Sequence, residues 1–586
     1  MTSLEATAVQ DGVPAQRSAG TPSPFRPALF PAEAALEFSQ ALDAVAGFAA
    51  GPLGAEQIRL RRPSLNPEWI RAELAPVAEL LEALSRGTAV SAAPVPPLEP
   101  VLERLGLEGS VLDGVELVAV RHTLSAARAA VGELRRVAAE APSLAAWIVP
   151  LPDPALDRRL AQALDESGGG ELLDSASPAL LAARREVVAS RVRLIKKLES
   201  VLRSLDPRGA AEVTMRNGRY VIPVRRVSRG RLDGIVHDES ATAETLFVEP
   251  TAAIELGNAH RGAIAAAERE AVRVLRDLTN ALRPHRESLT AGHRLCVSLD
   301  DLVARVRYAH AYGGRVPAIR PRGEGLSLRQ ARHALLLARG VAAVPFDLEL
   351  LRAERTLLIS GPNAGGKTVL LKTVGLTTAL VQSGIAPPLG EGSAVPVFER
   401  IAADIGDHQS IAADLSTFTA HLVVLRSLLD EADSGTLVLM DEIGSGTDPA
   451  EGGALAAAAL LALTRRGALT IATTHLGSLK ALASNSPGIV NGSLRFDPDR
   501  LVPTFQFTMG TPGRSYGLAI ARRLGIRPEV LADAEVRISG AERSLDALLE
   551  AVEVQARQLR EAQVEVESRR VALDRDAARL AREAEA

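Results

Sequence analysis

The sequence has little cysteine, no long apolar run and no targeting pattern. Cys296 is its single cysteine, so no internal disulfide can form, which suits a reducing cytoplasm. Residues 454–463 form the longest apolar run, far short of the ~20 residues that a membrane helix needs. The first residues lack the basic-then-apolar pattern of a signal peptide. We therefore expect a cytoplasmic protein with no membrane partner.

Lysine is also scarce, and the net charge is close to zero. The formal charge is −4 over 586 residues, so any polyanionic partner must be held by a local patch. Most basic residues are arginine, and the lysines are Lys196, Lys197, Lys367, Lys372 and Lys480. A lysine at a motif position is therefore a stronger signal here than in an average chain.

The length and the pattern of the chain predict a multidomain protein of the α + α/β class. One core holds ~100–200 residues, so 586 residues predict three to five domains. Aromatic residues make up only 3%, which leaves Leu, Val and Ala to fill helical cores. We predict a disordered tail at 1–30, a helical core domain at 31–177, a lever with a β-tipped basic clamp at 178–282, helices returning to the core at 283–325, an α/β ATPase domain at 326–540 and a helical coiled-coil segment at 541–586.

The predicted lever consists of two long helices joined by a small β tip. Residues 178–205 and 252–282 have helical periodicity, and alternating residues flank Asn217-Gly218, a dipeptide typical of a tight hairpin. Between 184 and 231 the chain holds 14 Arg and Lys but four acidic residues, which predicts phosphate binding by backbone and shape. A solvated helix face is the alternative. The candidate nucleic-acid contacts are Arg184, Arg185, Arg191, Arg193, Lys196, Lys197, Arg216, Arg219, Arg225 and Arg226.

A glycine-rich turn follows the apolar segment 357–360 and matches the P-loop pattern. Glycines in such a turn let backbone N–H groups point at phosphates, and a helix expected to open at Lys367 adds its positive end. We expect Lys367 to reach the β- and γ-phosphates of ATP and Thr368 to bind Mg²⁺. A glycine-rich surface turn is the alternative. The predicted ATP-binding residues are Gly361, Pro362, Asn363, Ala364, Gly365, Gly366, Lys367 and Thr368.

Two further apolar strands end in candidate catalytic residues. Residues 436–440 precede Asp441 and Glu442. We expect Asp441 to hold Mg²⁺, directly or through water, and Glu442 to position or deprotonate the attacking water. Residues 469–474 precede His475, a candidate contact of the γ-phosphate or of that water. Many strands end in acidic residues or histidine that have no catalytic role. The prediction therefore depends on the order of these motifs after the glycine-rich turn.

Two helix starts have both a structural and a functional interpretation. Ser416 or Thr417 can cap a helix at 420–429, or that helix N-terminus can face a phosphate. Asp448 can cap the next helix, with Pro449 at its first position and Glu451 completing a capping box. The cap alone explains Asp448, and a subunit contact by residues 445–448 is a secondary hypothesis.

The last segment has an apolar residue at every seventh position. These positions are Leu545, Val552, Leu559, Val566, Leu573 and Leu580. The repeat favours a coiled coil, although its companion seam passes from Leu548 to polar or small residues, and a single solvated helix is the alternative. Because the chain stops inside this helix without a cap, we expect it to be part of a longer protein.

In this order, the motifs resemble those of the MutS family of ABC-type ATPases, and most of all its second bacterial subfamily. The resemblance covers roughly residues 32–586 and implies a P-loop ABC-type α/β ATPase domain. Its most specific segments are GPNAGGKT at 361–368, LSTF at 415–418, MDEIGSGTDP at 440–449, TTH at 473–475 and GTPGRSYG at 510–517. The subfamily is indicated by RNGRYVIPV at 216–224, GIVHDES at 234–240 and LFVEP at 246–250.

The resemblance implies that ATP and Mg²⁺ bind between the ATPase domains of a homodimer. Ser416 and Thr417 would then face the partner's nucleotide across the interface, and Ser515 and Tyr516 would lie near the nucleotide or the interface. It also implies a clamp that binds branched or recombining DNA and suppresses homologous recombination. The alternative is an ATPase that grips stalled or collided ribosomes through ribosomal RNA and separates their subunits. Both need a basic clamp and an ATP-driven dimer, so the sequence leaves them open.

The chain departs from the family pattern in three places. Mismatch-repair members read DNA with an N-terminal Phe-x-Glu, but residues 247–249 match it only by letters and fall within the clamp, so we do not expect mismatch reading. Subfamily members usually carry a C-terminal Smr nuclease domain. This chain ends before one could begin, so nuclease activity is expected only of a longer parent. The N-terminal tail has no counterpart that we identify.

Overall fold

The computed structural model describes residues 28–205, 211–361, 365–406, 417–497, 502–513 and 517–537, with isolated positions between 555 and 573. These residues form two compact units. The first is drawn from 1–90, 137–146 and 300–586, and the second from 91–136 and 147–299. The fold mixes helices with several sheets, as the sequence predicted. The tail expected at 1–30 and the coiled coil expected at 541–586 lie largely outside the described residues. The predicted domain boundaries stay predictions.

Helices account for most of the described structure. In chain order they are α1 (Phe38–Ala46), α2 (Pro52–Arg59), α3 (Pro67–Ser85), α4 (Glu99–Gly106), α5 (Gly114–Val137), α6 (Pro154–Ala163), α7 (Pro178–Leu205), α8 (Thr251–Leu282), α9 (Arg286–Tyr312), α10 (Ala334–Ala338), α11 (Lys367–Gln382), α12 (Thr417–Glu431), α13 (Pro449–Arg465), α14 (Gly477–Lys480), α15 (Leu482–Asn485), α16 (Gly517–Arg523) and α17 (Pro528–Arg537). Within the described ranges, none of these helices is both long and apolar enough to cross a bilayer.

Strands are shorter and group into four sheets. In chain order they are β1 (Leu164–Asp165), β2 (Glu171–Leu172), β3 (Thr214–Arg216), β4 (Arg219–Arg225), β5 (Gly234–Glu239), β6 (Thr245–Pro250), β7 (Ala318–Arg320), β8 (Leu326–Ala331), β9 (Phe346–Leu350), β10 (Thr356–Ser360), β11 (Ala394–Pro396), β12 (Arg400–Asp404), β13 (Thr436–Met440), β14 (Leu469–Thr474), β15 (Ile489–Asp497) and β16 (Val502–Met509). The helices expected over 283–325 therefore end at Tyr312, because residues 318–320 pair with β11 instead.

A six-stranded sheet organises the first unit. Its order is β12-β13-β14-β10-β15-β16, and every pairing is parallel except that of β15 with β16. Every residue of β10, β13 and β14 is buried, which is typical of parallel strands covered on both faces. A mostly parallel sheet fits the α/β class that the sequence predicted for this part of the chain. Its parallel strands end at one edge, where their following loops meet.

A second sheet and helix α11 complete the core of this unit. The order of this sheet is β7-β11-β8-β9. Helix α11 is buried along most of its length and packs leucine and valine side chains into the main core. A Cβ on Gly375 would lie 2.5 Å from a methyl group of Leu439 on β13 and 2.7 Å from one of Leu36, so this position needs glycine for close helix–strand packing.

The second unit contains the predicted lever helices and their tip. Helix α7 begins and ends at the predicted residues, and α8 begins one residue earlier than predicted. The tip is a sheet of order β3-β4-β6-β5. Its first hairpin turns at Asn217 and Gly218, whose φ angles of 49° and 72° fit a type I′ turn and confirm the prediction. Leu194, Leu198 and Leu202 of α7 pack under the tip with β4 and β6.

A buried histidine in the first unit makes its stability sensitive to pH. His333 immediately precedes α10, and its Nδ1 has no hydrogen-bond partner among the described residues. Burial lowers the pKa of His333 to about 4, and Lys372 and Arg339 act in the same direction while Glu37 opposes them. In the unfolded chain the imidazole of His333 has its ordinary pKa of 6.5. The folded protein therefore favours the neutral form of His333.

We predict that His333→Leu removes part of the acid sensitivity of the protein. Because the folded pKa lies below the unfolded one, the stability contributed by neutral His333 is complete above pH 6.5 and is lost as pH falls towards 4. Relative to the wild type, the variant should gain on the order of 2 kcal/mol of unfolding free energy between pH 7 and pH 5. Denaturant unfolding at both pH values measures this difference, and an equal change in both proteins would contradict the prediction.

Candidate functional site

Three strand ends of the six-stranded sheet bring the candidate residues together. In the parallel register, Ser360 of β10 lies beside Thr474 of β14, and Met440 of β13 lies beside Ala472 of β14 and Asp404 of β12. The glycine-rich turn, the acidic pair and His475 each follow one of these ends, so the fold gathers them at one edge.

The glycine-rich turn connects β10 to α11, and two of its residues have backbone conformations that favour glycine. Gly361 has φ of 142° and Gly366 has φ of 87°, both in the region that side chains disfavour. Helix α11 begins at Lys367, as predicted. The positive end of this helix therefore points into the turn, which suits an anion. Pro362, Asn363 and Ala364 lie outside the described residues.

Lys367 is 2% exposed and lies inside the turn. Its Nζ donates a hydrogen bond to the carbonyl oxygen of Gly361 at 2.8 Å. Burial lowers the pKa of Lys367, and nearby Lys480 adds to this effect, whereas the carboxylates of Glu442 and Asp441 favour the charged form. A buried ammonium group beside two carboxylates is a position where a phosphate gains a strong charge-assisted bond.

Asp441 accepts hydrogen bonds from two threonines. Thr368 Oγ1 donates to Asp441 Oδ2 at 2.5 Å, and Thr473 Oγ1 donates to Asp441 Oδ1 at 2.5 Å. The Asp441 N–H donates to the carbonyl oxygen of Asp404 at 2.8 Å, which continues the ladder between β12 and β13. The structure thus brings the predicted Mg²⁺ residues Thr368 and Asp441 into direct contact.

Glu442 occupies a strained position next to this carboxylate. Its φ angle is 50°, in the left-handed region that non-glycine residues rarely adopt. The backbone is held there because Glu442 N–H donates to Thr473 Oγ1 at 2.8 Å and the next amide donates to the Thr473 carbonyl at 2.9 Å. Strain of this kind persists where the surrounding contacts over-determine it, often at functional sites.

The other predicted residues are less fully defined. His475 follows β14 and is exposed, and the described residues offer it no hydrogen bond. Thr417 is the first residue of α12, so it does not occupy the cap position, and its side chain lies outside the described residues. Ser416, Ser515 and Tyr516 also lie outside them. Asp448 caps α13 as predicted, its Oδ1 accepting from Ala450 and Glu451 amides.

Two features of the site were missed by sequence reasoning. Asp404, at the end of β12, accepts a 2.7 Å hydrogen bond from His421 Nδ1 of α12, and both residues line a pocket that contains Glu442. The second feature is Phe505 of β16, which is 47% exposed. Its Cδ1 lies 3.1 Å from the point that a Cβ on Gly366 would occupy. An acid at a strand end is a signal for Asp404, whereas nothing in the sequence places Phe505 beside the turn.

Half of the predicted nucleic-acid contacts are already ion-paired with acidic side chains. In the tip, Arg216 pairs with Asp238, Arg219 with Glu249 and Arg226 with Glu239. On α7, Arg184 pairs with Asp174 and Arg193 with Glu186. Residues 211–250 contain six arginines and six acidic residues, so the tip as a whole carries no excess charge.

The remaining candidates make α7 the more basic surface. Arg185, Lys196 and Lys197 are exposed, and no ion pair involves them within the described ranges. Arg191 lies over the ring of Tyr220 with its guanidinium carbon 5.9 Å from the ring centroid. From 178 to 205 the helix carries seven basic and two acidic residues. The charge excess predicted for the whole clamp is therefore concentrated on this helix.

Arg219 has a structural role that the sequence did not indicate. Its guanidinium donates to Glu249 Oε1 at 2.9 Å, and His237 lies 2.8 Å from the other oxygen of this carboxylate, whose side chain is 3% exposed. Removing one partner of a buried ion pair is strongly destabilising. Phe247, the aromatic of the rejected Phe-x-Glu match, lies under the Arg216 guanidinium at 4.3 Å.

Comparison with known proteins gives a consistent result. Residues 357–541 match the family model described as MutS domain V. Over 88% of this chain, the sequence is 45% identical to an endonuclease MutS2 of Gemmatimonas aurantiaca, of which it covers 64%. It is 38% identical to relatives of the same name from Geobacillus thermodenitrificans and Geobacillus kaustophilus. The first match covers 92% of this chain and 69% of the relative, and the second covers 90% and 67%. The chain thus spans about two thirds of the length of these curated relatives.

Proposed function

Because the chain belongs to the MutS2 family, we propose that it is an ATPase whose nucleotide cycle drives conformational change in a nucleic-acid clamp. The observation that carries the proposal is the contact between Thr368 and Asp441 beside the buried Lys367. A glycine-rich surface turn would not need a buried lysine or a carboxylate from another strand. The name endonuclease belongs to the relatives, about a third of whose length has no counterpart in this match.

The described residues fit a bound nucleoside triphosphate. Gly361 and Gly366 allow the backbone to wrap closely around phosphates, and α11 presents its positive end. Lys367 would exchange its bond to the Gly361 carbonyl for the phosphates. The half-exposed ring of Phe505 lies beside the turn, where it would stack on the adenine base.

The residues also fit Mg²⁺, which prefers oxygen ligands and retains several waters. The hydroxyl of Thr368 and the carboxylate of Asp441 would hold the ion, and Thr473 keeps that carboxylate in place. A bound Mg²⁺ would neutralise charge on the transferred phosphoryl group. Glu442 would accept a proton from the attacking water, with its carboxylate aimed by the strained backbone. His475 would contact the γ-phosphate or that water.

The proposed active form is a homodimer joined through the ATPase domains. Membership in the family supports this arrangement. Ser416 and Thr417 of one chain would approach the nucleotide of the other, because Thr417 is the first residue of α12. The partly exposed turn of residues 445–448 before α13 would contribute to the same interface.

The proposed nucleic-acid surface is the exposed side of α7. Its exposed Arg and Lys residues would bind phosphates, so contacts would follow the nucleic-acid backbone rather than the base sequence. We propose branched or recombining DNA as the partner and suppression of homologous recombination as the role. The alternative partner is the stalled or collided ribosome.

Substitutions in the turn and at the acidic pair separate nucleotide binding from hydrolysis. Lys367→Ala should weaken ATP binding by about 10- to 100-fold, since a charge-assisted contact to phosphate is lost. Glu442→Gln should bind ATP normally but hydrolyse it roughly 100- to 10,000-fold more slowly. Equilibrium binding of a fluorescent ATP analogue and phosphate release measure the two effects. Lys372→Ala, on the same helix and paired with Glu37, is the matched control. Normal turnover by Glu442→Gln would remove the assigned base.

Phe505→Ala should weaken ATP binding without weakening the binding of inorganic triphosphate. Loss of one stacked base costs ~1–3 kcal/mol, which corresponds to a roughly 5- to 150-fold higher dissociation constant. Phe505→Trp, which keeps an aromatic face, should bind ATP like the wild type. Competition titrations with both ligands check this, and an equal loss for ATP and triphosphate would assign Phe505 to the shape of the turn instead.

Charge reversal on α7 should weaken nucleic-acid binding and its salt dependence. With Lys196→Glu and Lys197→Glu combined, the slope of the logarithm of the binding constant against the logarithm of salt should fall by about 2. Gel shifts on four-way junctions and linear duplexes, and sedimentation with ribosomes, measure binding with and without ATP. Arg158→Glu with Arg159→Glu, an equal charge change on α6, is the control. Unchanged salt dependence would exclude α7, and ribosome binding without junction binding would select the alternative.

A further inference from the structure

A second acid–histidine pair lies in the pocket that contains Glu442. This pocket is lined by Asp404, His421, Asp441, Glu442 and Ser445, together with apolar side chains of α12 and α13. The proposed roles of Asp441 and Glu442 account for two of its polar side chains. They leave Asp404 and His421 without a role, although both were placed there by separate elements, the end of β12 and the second turn of α12.

The geometry of the pair fixes the imidazole. Asp404 is held by the sheet, because it pairs with Met440 in the parallel register and its carbonyl oxygen accepts from the Asp441 amide at 2.8 Å. Its carboxylate, 9% exposed, lies 2.7 Å from His421 Nδ1. When Nδ1–H donates to a carboxylate, the tautomer is set and Nε2 carries the acceptor lone pair.

Such an arrangement gives histidine a defined orientation and a defined acceptor. A buried aspartate that accepts a hydrogen bond from Nδ1–H keeps the ring in one orientation, so that Nε2 can contact a bound group. The apolar side chains of α12 and α13 exclude part of the surrounding water, which strengthens hydrogen bonds inside the pocket. A histidine held only as a helix anchor would not need to line the pocket of Glu442.

We propose that His421, oriented by Asp404, is a positioning residue that holds the attacking water against Glu442 during ATP hydrolysis. In this arrangement the water donates one hydrogen bond to His421 Nε2 and its other proton to Glu442. The water oxygen then forms a bond to the γ-phosphorus while the bond from that phosphorus to the ADP oxygen breaks. One water proton passes to Glu442, and the products are ADP and inorganic phosphate. The inference rests on the proposed ATPase function and adds His421 and Asp404 to its site.

Isosteric variants separate this role from a structural one. The amide of asparagine reaches the position of Nδ1 and can keep the bond to Asp404, whereas the amide of glutamine reaches the position of Nε2. If His421 positions water, His421→Ala and His421→Asn should lower kcat by roughly 10- to 100-fold with little change in ATP affinity, and His421→Gln should recover most of the activity. Asp404→Asn should lower kcat in the same way, since it no longer fixes the tautomer.

The experiment measures phosphate release at saturating ATP, binding of the fluorescent ATP analogue and thermal unfolding for each full-length variant. Arg426→Ala, an exposed position on the same helix, is the control and should behave like the wild type. Recovery by asparagine but not by glutamine would overturn the proposal and leave a structural tether. Wild-type turnover in His421→Ala, or a parallel loss of ATP affinity, would also overturn it. If wild-type protein and Lys367→Ala hydrolyse ATP equally slowly, the proposed ATPase function itself fails, which is a distinct result.

Discussion

The carboxylate of Asp441 holds the candidate site together. It accepts one hydrogen bond from Thr368, which follows β10, and one from Thr473, at the end of β14, while its amide is bound to β12. Hydrogen bonds to a charged acceptor contribute ~1.5–3 kcal/mol each, about twice the value of neutral ones. The start of α11 and the ends of β12 and β14 are thereby fixed relative to one another through one residue. The strained backbone of Glu442 depends on the same threonine, so its geometry follows from that of its neighbour.

Opposite charges lie close together at this edge of the sheet. The ammonium group of Lys367 is buried, which lowers its pKa, yet Glu442 and Asp441 lie close enough to favour its charged form. Its bond to the Gly361 carbonyl keeps it inside the turn. A phosphate entering the turn would meet the ammonium group of Lys367 and the positive end of α11.

Local sequence signals predicted local structure well. The turn at Asn217-Gly218, the cap at Asp448 and the strand–turn–helix around Lys367 depend on neighbouring residues, and all three are present. What the sequence could not provide is the pairing of distant residues. Arg219 meets Glu249 only because β4 and β6 are adjacent in the tip sheet. A count of charges treats such arginines as available for phosphate binding. In the folded tip they are paired with acidic side chains, so the excess of positive charge lies on α7.

The same limit applies to the far end of α11. This helix is about 24 Å long, since its 16 residues each rise ~1.5 Å. Its C-terminal end meets a buried cluster in which Arg61 and Arg305 share Asp301 and Glu73. Both guanidinium groups also donate to the carbonyl oxygens of the two residues that follow the helix. Removing one member of such a cluster leaves a buried charge unpaired, at a cost of ~3–5 kcal/mol. The cluster therefore ties the C-terminal end of α11 to α3 through Glu73 and to the 300–312 part of α9 through Asp301 and Arg305, contacts between segments far apart in sequence that no local pattern indicates.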